Sequence, residues 1–221
     1  MTPTLVSRYA GTLVGAACGD ALGATLEFMS RSEVLATWPG GLRDIVGGGW
    51  MGVEPGETTD DTAMMLADPR ACDADGIDLQ LIADNFSAWL ESGPKDVGNA
   101  TREAIKLLQE GFRWDEAGEQ LQRRTPQGVT GNGTVIRWAP IALRFRTAPE
   151  KLVSAAIDAA RITHADPRAT WGAVAVCQAI AHLLNGGAID GGIEAAIHEV
   201  RGKTGVEAVE SAGIPRDGGG G

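Results

Sequence analysis

The chain has 221 residues and a formal net charge of −10, with a sequence pI near 4.8, so binding to bare nucleic acid is disfavoured. No apolar run approaches the roughly 18 residues of a membrane-spanning helix, and the N-terminus lacks the pattern of a secretory signal. Three widely spaced cysteines indicate reduced thiols rather than a disulfide frame or a zinc site, so we expect a cytoplasmic protein with no membrane contact.

The hydrophobic periodicity predicts an all-α protein, because apolar residues recur at helical spacing and alternating β-branched runs are scarce. In chain order, the predicted helices are 5–24, 60–67, 78–92, 98–110, 114–123, 133–146, 149–163, 167–185 and 190–203. Breakers such as the glycines 47–49 fall between them, and 30–57 is predicted to be a long loop. We therefore expect a single orthogonal multi-helix domain over 1–213 and a flexible glycine-rich tail over 214–221.

The first predicted helix carries glycines at every fourth position: Gly11, Gly15, Gly19 and Gly23. Each glycine costs a helix interior about 1 kcal/mol relative to alanine, so the stripe predicts another backbone packed closely against it. Asp20 and Glu27 are seven residues apart and would share a face if the helix ran that far. Two acids beside this stripe are consistent with a site near the helix C-terminus.

The segment 56–66, GETTDDTAMML, places two adjacent carboxylates among hydroxyl groups at the start of a predicted helix. One interpretation is structural, because threonine is a good N-cap and acids favour the first turn. The other is a metal site, because the charges of Asp60 and Asp61 repel each other unless a cation lies between them. Mg²⁺, Mn²⁺ and Ca²⁺ take six or more oxygen ligands. Thr59 and the two aspartates would supply three, Glu27 could supply a fourth, and the lack of histidine disfavours zinc.

Five segments, in the same order, resemble the motifs of ADP-ribosylglycohydrolases of the dinitrogenase-reductase-activating type. They are GAACGDALGATLEF (15–28), TTDDTAMML (58–66), KDVGNATREA (95–104), GNGTVIRWAPIAL (131–143) and THADPRAT (163–170). One motif alone would be weak, but five in order are a specific signal. The resemblance implies an all-α fold and a binuclear Mg²⁺ or Mn²⁺ centre. It also implies hydrolysis of the glycosidic bond between ADP-ribose and an acceptor, which is a protein side chain or a small molecule.

The resemblance also implies roles for individual residues. Four would lie at the metal centre: Glu27, Thr59, Asp60 and Asp61. Three would contact the ADP-ribose: Asn132, Gly133 and His164. Asp96 matches an acid near the scissile bond, where it or Glu27 could orient a water molecule or shuttle a proton. Bound cations would also explain how a protein with a negative net charge attracts the diphosphate of its ligand.

The resemblance is incomplete near the C-terminus. The family usually carries an Asp-x-Asp-Thr or Asp-x-Asp-Ser motif there, whereas Asp217 has no second acid after it and the Asp-x-Asp of 73–75 lies too early in the chain. We therefore expect a second metal to be poorly held and the activity to be impaired. Three explanations stay open: a truncated chain, a homo-oligomer in which another protomer completes the site, or loss of catalysis.

Three functions follow from these patterns. The first is a metal-dependent hydrolase that removes ADP-ribose from a modified acceptor, including a nucleotide end. The second is a non-catalytic ADP-ribose-binding or regulatory protein, which the missing acidic motif favours, whereas the retained acids favour the enzyme. The third is a metal phosphohydrolase of another helical family, which would cleave the diphosphate instead of the glycosidic bond.

Overall fold

The computed structural model describes residues 4–67, 76–125 and 127–203. Within these ranges ten α-helices follow one another: α1 Leu5–Gly23, α2 Arg31–Thr37, α3 Asp60–Met65, α4 Leu79–Glu91, α5 Asn99–Gln109, α6 Trp114–Arg124, α7 Ala139–Phe145, α8 Pro149–Arg161, α9 Pro167–Leu184 and α10 Ile189–Val200. A 3-10 turn spans Asn132–Thr134, and a β-bridge joins Gly48 to Val53. The predicted all-α class is confirmed. The predicted tail lies outside the described residues, as do Asp217 and 73–75, and the predicted domain bounds stay a prediction.

A capping box sets the start of α2. The Ser30 hydroxyl accepts from the Glu33 backbone N–H at 3.3 Å, and the Glu33 carboxylate accepts from the Ser30 N–H at 2.7 Å. This helix lies inside the predicted loop 30–57, so the prediction is wrong there. Seven residues are too few to show a clear hydrophobic period, although the Ser-x-x-Glu spacing was a usable signal.

A proline sets the start of α7. The sequence predicts one helix over 133–146, whereas the structure has a 3-10 turn followed by α7 from Ala139. Proline is tolerated only in the first turn of a helix, because it lacks an N–H and clashes with the preceding turn. Pro140 therefore fixes the helix start, and the non-helical stretch before it places Trp138 in the core, where it is 1% exposed.

The core is centred on α9, which packs against α7, α8 and α10. Its buried residues recur at helical spacing: Ala169, Thr170, Ala173, Val174, Cys177, Ala181 and Leu184. Phe86 of α4 and Trp138 lie at the centre of the cluster, with ring centroids 6.2 Å apart. Each large apolar side chain buried in this way contributes about 1.5–3 kcal/mol to the free energy of unfolding. The cluster thus holds in place the helix ends that carry the site.

Within the described residues, the glycine stripe of α1 does not lie against the backbone of another segment, contrary to the prediction. A Cβ added at any of its four positions would meet no atom within 4 Å beyond its chain neighbours and the backbone of its own helix. Gly19 and Gly23 instead line a cavity. Close backbone approach occurs at Gly118 of α6, where an added Cβ would lie 2.0 Å from the Arg161 carbonyl oxygen. Helical spacing identified the stripe, but it could not identify what faces the stripe.

Two helices present apolar side chains to solvent. Val6 and Val14 of α1 are 78% and 60% exposed, and Ile189, Ile193 and Ile197 of α10 are each at least half exposed. The predicted homo-oligomer stays a prediction. Within the described part of the chain, no helix combines the length and the hydropathy that crossing a bilayer requires.

Candidate active site

All the residues that the sequence analysis assigned to a site line one cavity of about 610 Å³. They are Glu27, Thr59, Asp60, Asp61, Asp96, Asn132, Gly133 and His164. They come from the end of α1, the start of α3, the loop before α5, the 3-10 turn and the segment after α8. The structure therefore brings together segments that are distant in sequence, while the individual roles stay predictions.

Hydrogen bonds to Asp20 connect α1 to the N-terminus of α3. Its carboxylate accepts from the backbone N–H and hydroxyl of Thr59 at 2.9 and 2.8 Å, and from those of Thr62 at 3.1 and 2.6 Å. The first N–H groups of a helix have no partner within the helix, so an acid from another helix is a fitting acceptor. Asp20 was outside the predicted site set, and only its spacing from Glu27 pointed to it.

The N-cap interpretation of the threonine-aspartate segment is confirmed. Thr59 is the N-cap of α3, and its hydroxyl oxygen lies 3.4 Å from the Asp61 backbone N–H. Because Thr59 donates its hydroxyl proton to Asp20, its oxygen keeps electron pairs for an acceptor role. The cap and a metal ligand are therefore compatible functions of the same side chain.

Burial and neighbouring negative charges oppose the ionisation of Asp60 and Asp61. Burial raises the pKa of Asp61 to about 7, and the charges of Asp60, Asp20 and Glu27 add to the effect. Burial also raises the pKa of Asp60, helped by Asp96, whereas the Gly98 N–H at 3.4 Å acts against the rise. These shifts show that the negative charges are crowded and incompletely compensated by the protein.

A buried arginine lies close to the acidic cluster. Arg137 is fully buried, and its positive charge lowers the pKa values of Asp60 and Asp61 against the larger effect of burial. Its guanidinium stacks over Trp138 and Phe86, 4.7 and 5.0 Å from the ring centroids, and it donates to the Thr163 hydroxyl. Arg137 therefore compensates part of the charge of the site while holding the core beneath it.

His164 is neutral at physiological pH. Burial, with a smaller contribution from the charge of Arg137, lowers its pKa to about 3. The Thr163 hydroxyl lies 2.8 Å from Nδ1. Since Arg137 donates to that hydroxyl, the hydroxyl proton is available to Nδ1, which leaves Nε2 as an N–H donor. The role of Thr163, whose hydroxyl connects Arg137 to His164, was not predicted from the sequence.

The two glycines of the Gly-Asn-Gly turn leave little room for a side chain. A Cβ at Gly131 would lie 3.1 Å from the Nε2 of His164, and one at Gly133 would lie 3.1 Å from the Thr101 hydroxyl. Glycine permits such close approach of a backbone to other groups and to ligands. All three residues of the turn line the cavity wall.

The residues of the cavity supply part of the oxygen coordination that one hard divalent cation needs. Thr59, Asp60 and Asp61 offer the oxygen donors that Mg²⁺ and Mn²⁺ prefer, and a cation would relieve the repulsion that raises the aspartate pKa values. In 4–67, 76–125 and 127–203, no three His, Cys, Asp or Glu side chains are grouped as a metal site. The Thr59 hydroxyl, water and further oxygen atoms would therefore have to complete the coordination.

Comparisons with known proteins identify the family of the chain. A family model described as ADP-ribosylglycohydrolase matches residues 1–216. Over 186 residues, the chain is 37% identical to the ADP-ribosyl-(dinitrogen reductase) glycohydrolase of Rhodospirillum rubrum, a match that covers 83% of this chain and 60% of the relative. It is 32% identical over 189 residues to the ADP-ribosylarginine hydrolase Tri1 of Serratia proteamaculans, covering 81% of this chain and 47% of the relative.

A solved structure gives the same result for the fold. The chain resembles a protein titled "ADP-ribosylglycohydrolase-related protein complex" with a TM-score of 0.73 and 29% identity, over 93% of this chain and 66% of that one. The chain thus spans between about half and two thirds of the length of the proteins that it matches.

Proposed function

The chain belongs to the ADP-ribosylglycohydrolase family, and we propose that it hydrolyses the glycosidic bond between ADP-ribose and a modified acceptor with the help of Mg²⁺ or Mn²⁺. The observation that carries the proposal is the convergence, in one cavity, of the Thr59-Asp60-Asp61 oxygens with Asp96 and the Gly-Asn-Gly turn. The two relatives named above support ADP-ribose removal, and one of them is named for arginine as the acceptor.

The cavity has the size and the lining that a nucleotide sugar requires. Its volume of about 610 Å³ falls in the usual range of small-molecule sites, about 300–1,000 Å³. Backbone N–H groups of the turn at Asn132 and Gly133 could donate to the diphosphate, and Nε2 of neutral His164 could donate to it or to a ribose oxygen. These donors would hold the ligand without needing a positive surface.

Glycosidic cleavage develops positive charge at the anomeric carbon of the ribose. The crowded carboxylates at the start of α3 would stabilise that charge electrostatically. Asp96, whose charge reaches Asp60, or Glu27 would orient the attacking water and accept its proton. His164 is excluded as a general acid at neutral pH, since its pKa is about 3. A bound cation would lower the pKa of water and polarise the ribose hydroxyls.

The test is product analysis with an ADP-ribosylated arginine peptide, with and without Mn²⁺. We expect intact ADP-ribose as the product, loss of cleavage in EDTA, and a rate at least about 100-fold lower in Asp60→Asn and Asp96→Asn. Asp44→Asn, the same change at an exposed loop position, is the matched control and should keep the wild-type rate.

Each alternative gives a different result in this test. Release of AMP would indicate the phosphohydrolase. Calorimetric binding of ADP-ribose without turnover, in wild type and variants alike, would indicate the non-catalytic binder. Cleavage that is equally fast in EDTA would refute the metal dependence.

A further inference from the structure

Two exposed aromatic side chains lie beside the cavity, next to a residue that lines it. The ring centroids of Phe28 and Trp50 are 5.3 Å apart, with the ring planes at 61°. The Trp50 indole N–H donates to Glu27 Oε2 at 2.9 Å, and Glu27 is part of the cavity wall. The aromatic pair therefore stands at the rim, where the part of a substrate outside the ADP-ribose pocket would lie.

Both rings of this pair are exposed and not packed in the core. Phe28 is 81% exposed and Trp50 is 54% exposed, although aromatic side chains stabilise a fold mainly when they are buried. Phe28 also has a φ of +61°, in the left-handed region that bulky L-residues rarely adopt. Strained backbone that presents apolar side chains to solvent is typical of binding sites.

The segment that carries Trp50 is built to hold it in place. Residues 47–49 are glycines with φ angles of 71°, 85° and 68°. A Cβ added at Gly49 would lie 2.6 Å from the Ala24 carbonyl oxygen, so the segment packs directly on the end of α1. Backbone hydrogen bonds of 2.7 and 3.0 Å pair Gly48 with Val53 and close the loop around Trp50. From the sequence alone, these glycines indicate only a break between helices.

The chemistry of the rim favours a planar cation. Faces of tryptophan and phenylalanine attract cations, and guanidinium groups stack on such rings while pairing with carboxylates. The Glu27 carboxylate accepts from Trp50 and keeps lone pairs for another donor. The acids at the cavity, among them Asp60 and Asp61, add a negative potential that favours a cationic group.

We propose that Phe28 and Trp50, together with Glu27, bind the guanidinium group of an arginine acceptor. This acceptor platform, defined as Phe28 and Trp50, rests on the proposed hydrolysis and specifies the acceptor class. A neutral acceptor linked through a hydroxyl oxygen would gain neither the stacking nor the charge pairing. The platform is therefore a determinant of acceptor specificity rather than of ADP-ribose binding.

The test compares two peptides of the same sequence, ADP-ribosylated on arginine or on serine, with wild type, Trp50→Ala and Phe28→Leu. Both variants should raise KM for the arginine-linked peptide by about 3- to 30-fold, the range of a cation–π contact. We expect kcat and the serine-linked KM to stay within about twofold of wild type. Leu35→Ala, at an exposed apolar residue of α2, is the control and should change neither.

A further variant separates recognition from positioning. Trp50→Phe keeps an aromatic face but removes the N–H that contacts Glu27, so its arginine-linked KM should stay close to that of wild type. An equal fall of kcat for both peptides in Trp50→Phe and Trp50→Ala would overturn the proposal, because Trp50 would then act only by positioning Glu27. An equal rise of KM for both peptides would also overturn it. If Trp50→Ala fails to fold by its melting transition, Phe28→Leu carries the test.

Binding in EDTA distinguishes failure of this inference from failure of the proposed function. If wild type cleaves neither peptide, hydrolysis is refuted, but calorimetry can still compare ADP-ribosylarginine with ADP-ribose. Tighter binding of the arginine conjugate, lost in Trp50→Ala and kept in Leu35→Ala, would support the platform. Equal binding of the two ligands, or of an ADP-ribosylserine conjugate and ADP-ribosylarginine, would overturn it.

Discussion

Replacing Asp61 by asparagine should stabilise the metal-free protein at neutral pH while it removes the response to divalent cations. The pKa of Asp61 is raised from 3.8 to about 7 by burial and then by neighbouring carboxylates. Between these two values the folded state keeps a proton that the unfolded chain has released. The free energy of unfolding of the metal-free wild type therefore falls as the pH rises through this window, and the loss is complete above it.

The expected change in the free energy of unfolding follows from the size of the Asp61 pKa shift. About three pKa units correspond to a ceiling of about 4 kcal/mol. Because Asp61 is only partly buried, solvent screening reduces the expected effect to about 1–2 kcal/mol. Asparagine keeps the size of the side chain without its charge, so Asp61→Asn should recover this amount at pH 8. For a chain of this length, that is a rise in melting temperature of about 2–8 °C.

The assay is urea unfolding in EDTA at pH 5 and pH 8, with thermal scans in Mn²⁺. We expect Asp61→Asn to gain stability over wild type at pH 8 and much less at pH 5. At a hundredfold excess of Mn²⁺ over Kd, wild type should gain about 2.7 kcal/mol, and the variant should gain little. Asp44→Asn should follow wild type throughout. A variant that is less stable than wild type at pH 8 in EDTA would refute the idea that uncompensated charge destabilises this site.

Four further substitutions test other parts of the structure. Asp20→Asn should lower the free energy of unfolding by about 2–3 kcal/mol in urea titrations, because the amide cannot accept all four hydrogen bonds from the start of α3; unchanged stability would show that these bonds do not form in solution. Gly118→Ala should destabilise by at least about 1–3 kcal/mol, since its Cβ would overlap the Arg161 carbonyl. Gly15→Ala, at an open helical position, should instead be neutral or stabilise by up to about 1 kcal/mol, and equal melting temperatures for the two alanine variants would contradict the packing. Asp166 caps α9, and hydrogen bonding to the neighbouring arginine lowers its pKa. Asparagine caps a helix as well as aspartate does but cannot form the ion pair with Arg168, so Asp166→Asn should cost up to about 1 kcal/mol at pH 7, and this difference from wild type should disappear in acid as the pH falls through the lowered pKa.

The helices and the site residues could be predicted from the sequence because their signals are local. Amphipathic periodicity marks the long helices, and short motifs mark segments whose residue types suit oxygen coordination or close approach to a ligand. The Gly-Asn-Gly turn illustrates this, since a Cβ at either glycine would crowd His164 or Thr101. All eight predicted site residues consequently line one cavity, although nothing local shows which acid touches which partner.

The predictions failed, or were lacking, for features that depend on contact with a segment distant in the sequence. The glycine stripe of α1 has the spacing of a close helix contact, but Gly118 makes such a contact instead. The four hydrogen bonds of Asp20 join residues about 40 positions apart, so no motif contains them. The acceptor platform depends on the triglycine segment packing against α1, which brings Trp50 to Glu27 across 23 positions.

The structure also shows why the two interpretations of the threonine-aspartate segment are linked. As an N-cap segment, it needs acceptors for the first N–H groups of α3, and Asp20 supplies them while also accepting a hydrogen bond from the Thr59 hydroxyl. The same carboxylate adds negative charge beside Asp61 and raises its pKa. The interactions that form the helix terminus therefore create the charge crowding that a cation would relieve. Cation binding and the stability of α3 should consequently change together, so a variant that weakens the cap at Asp20 should also bind Mn²⁺ less tightly.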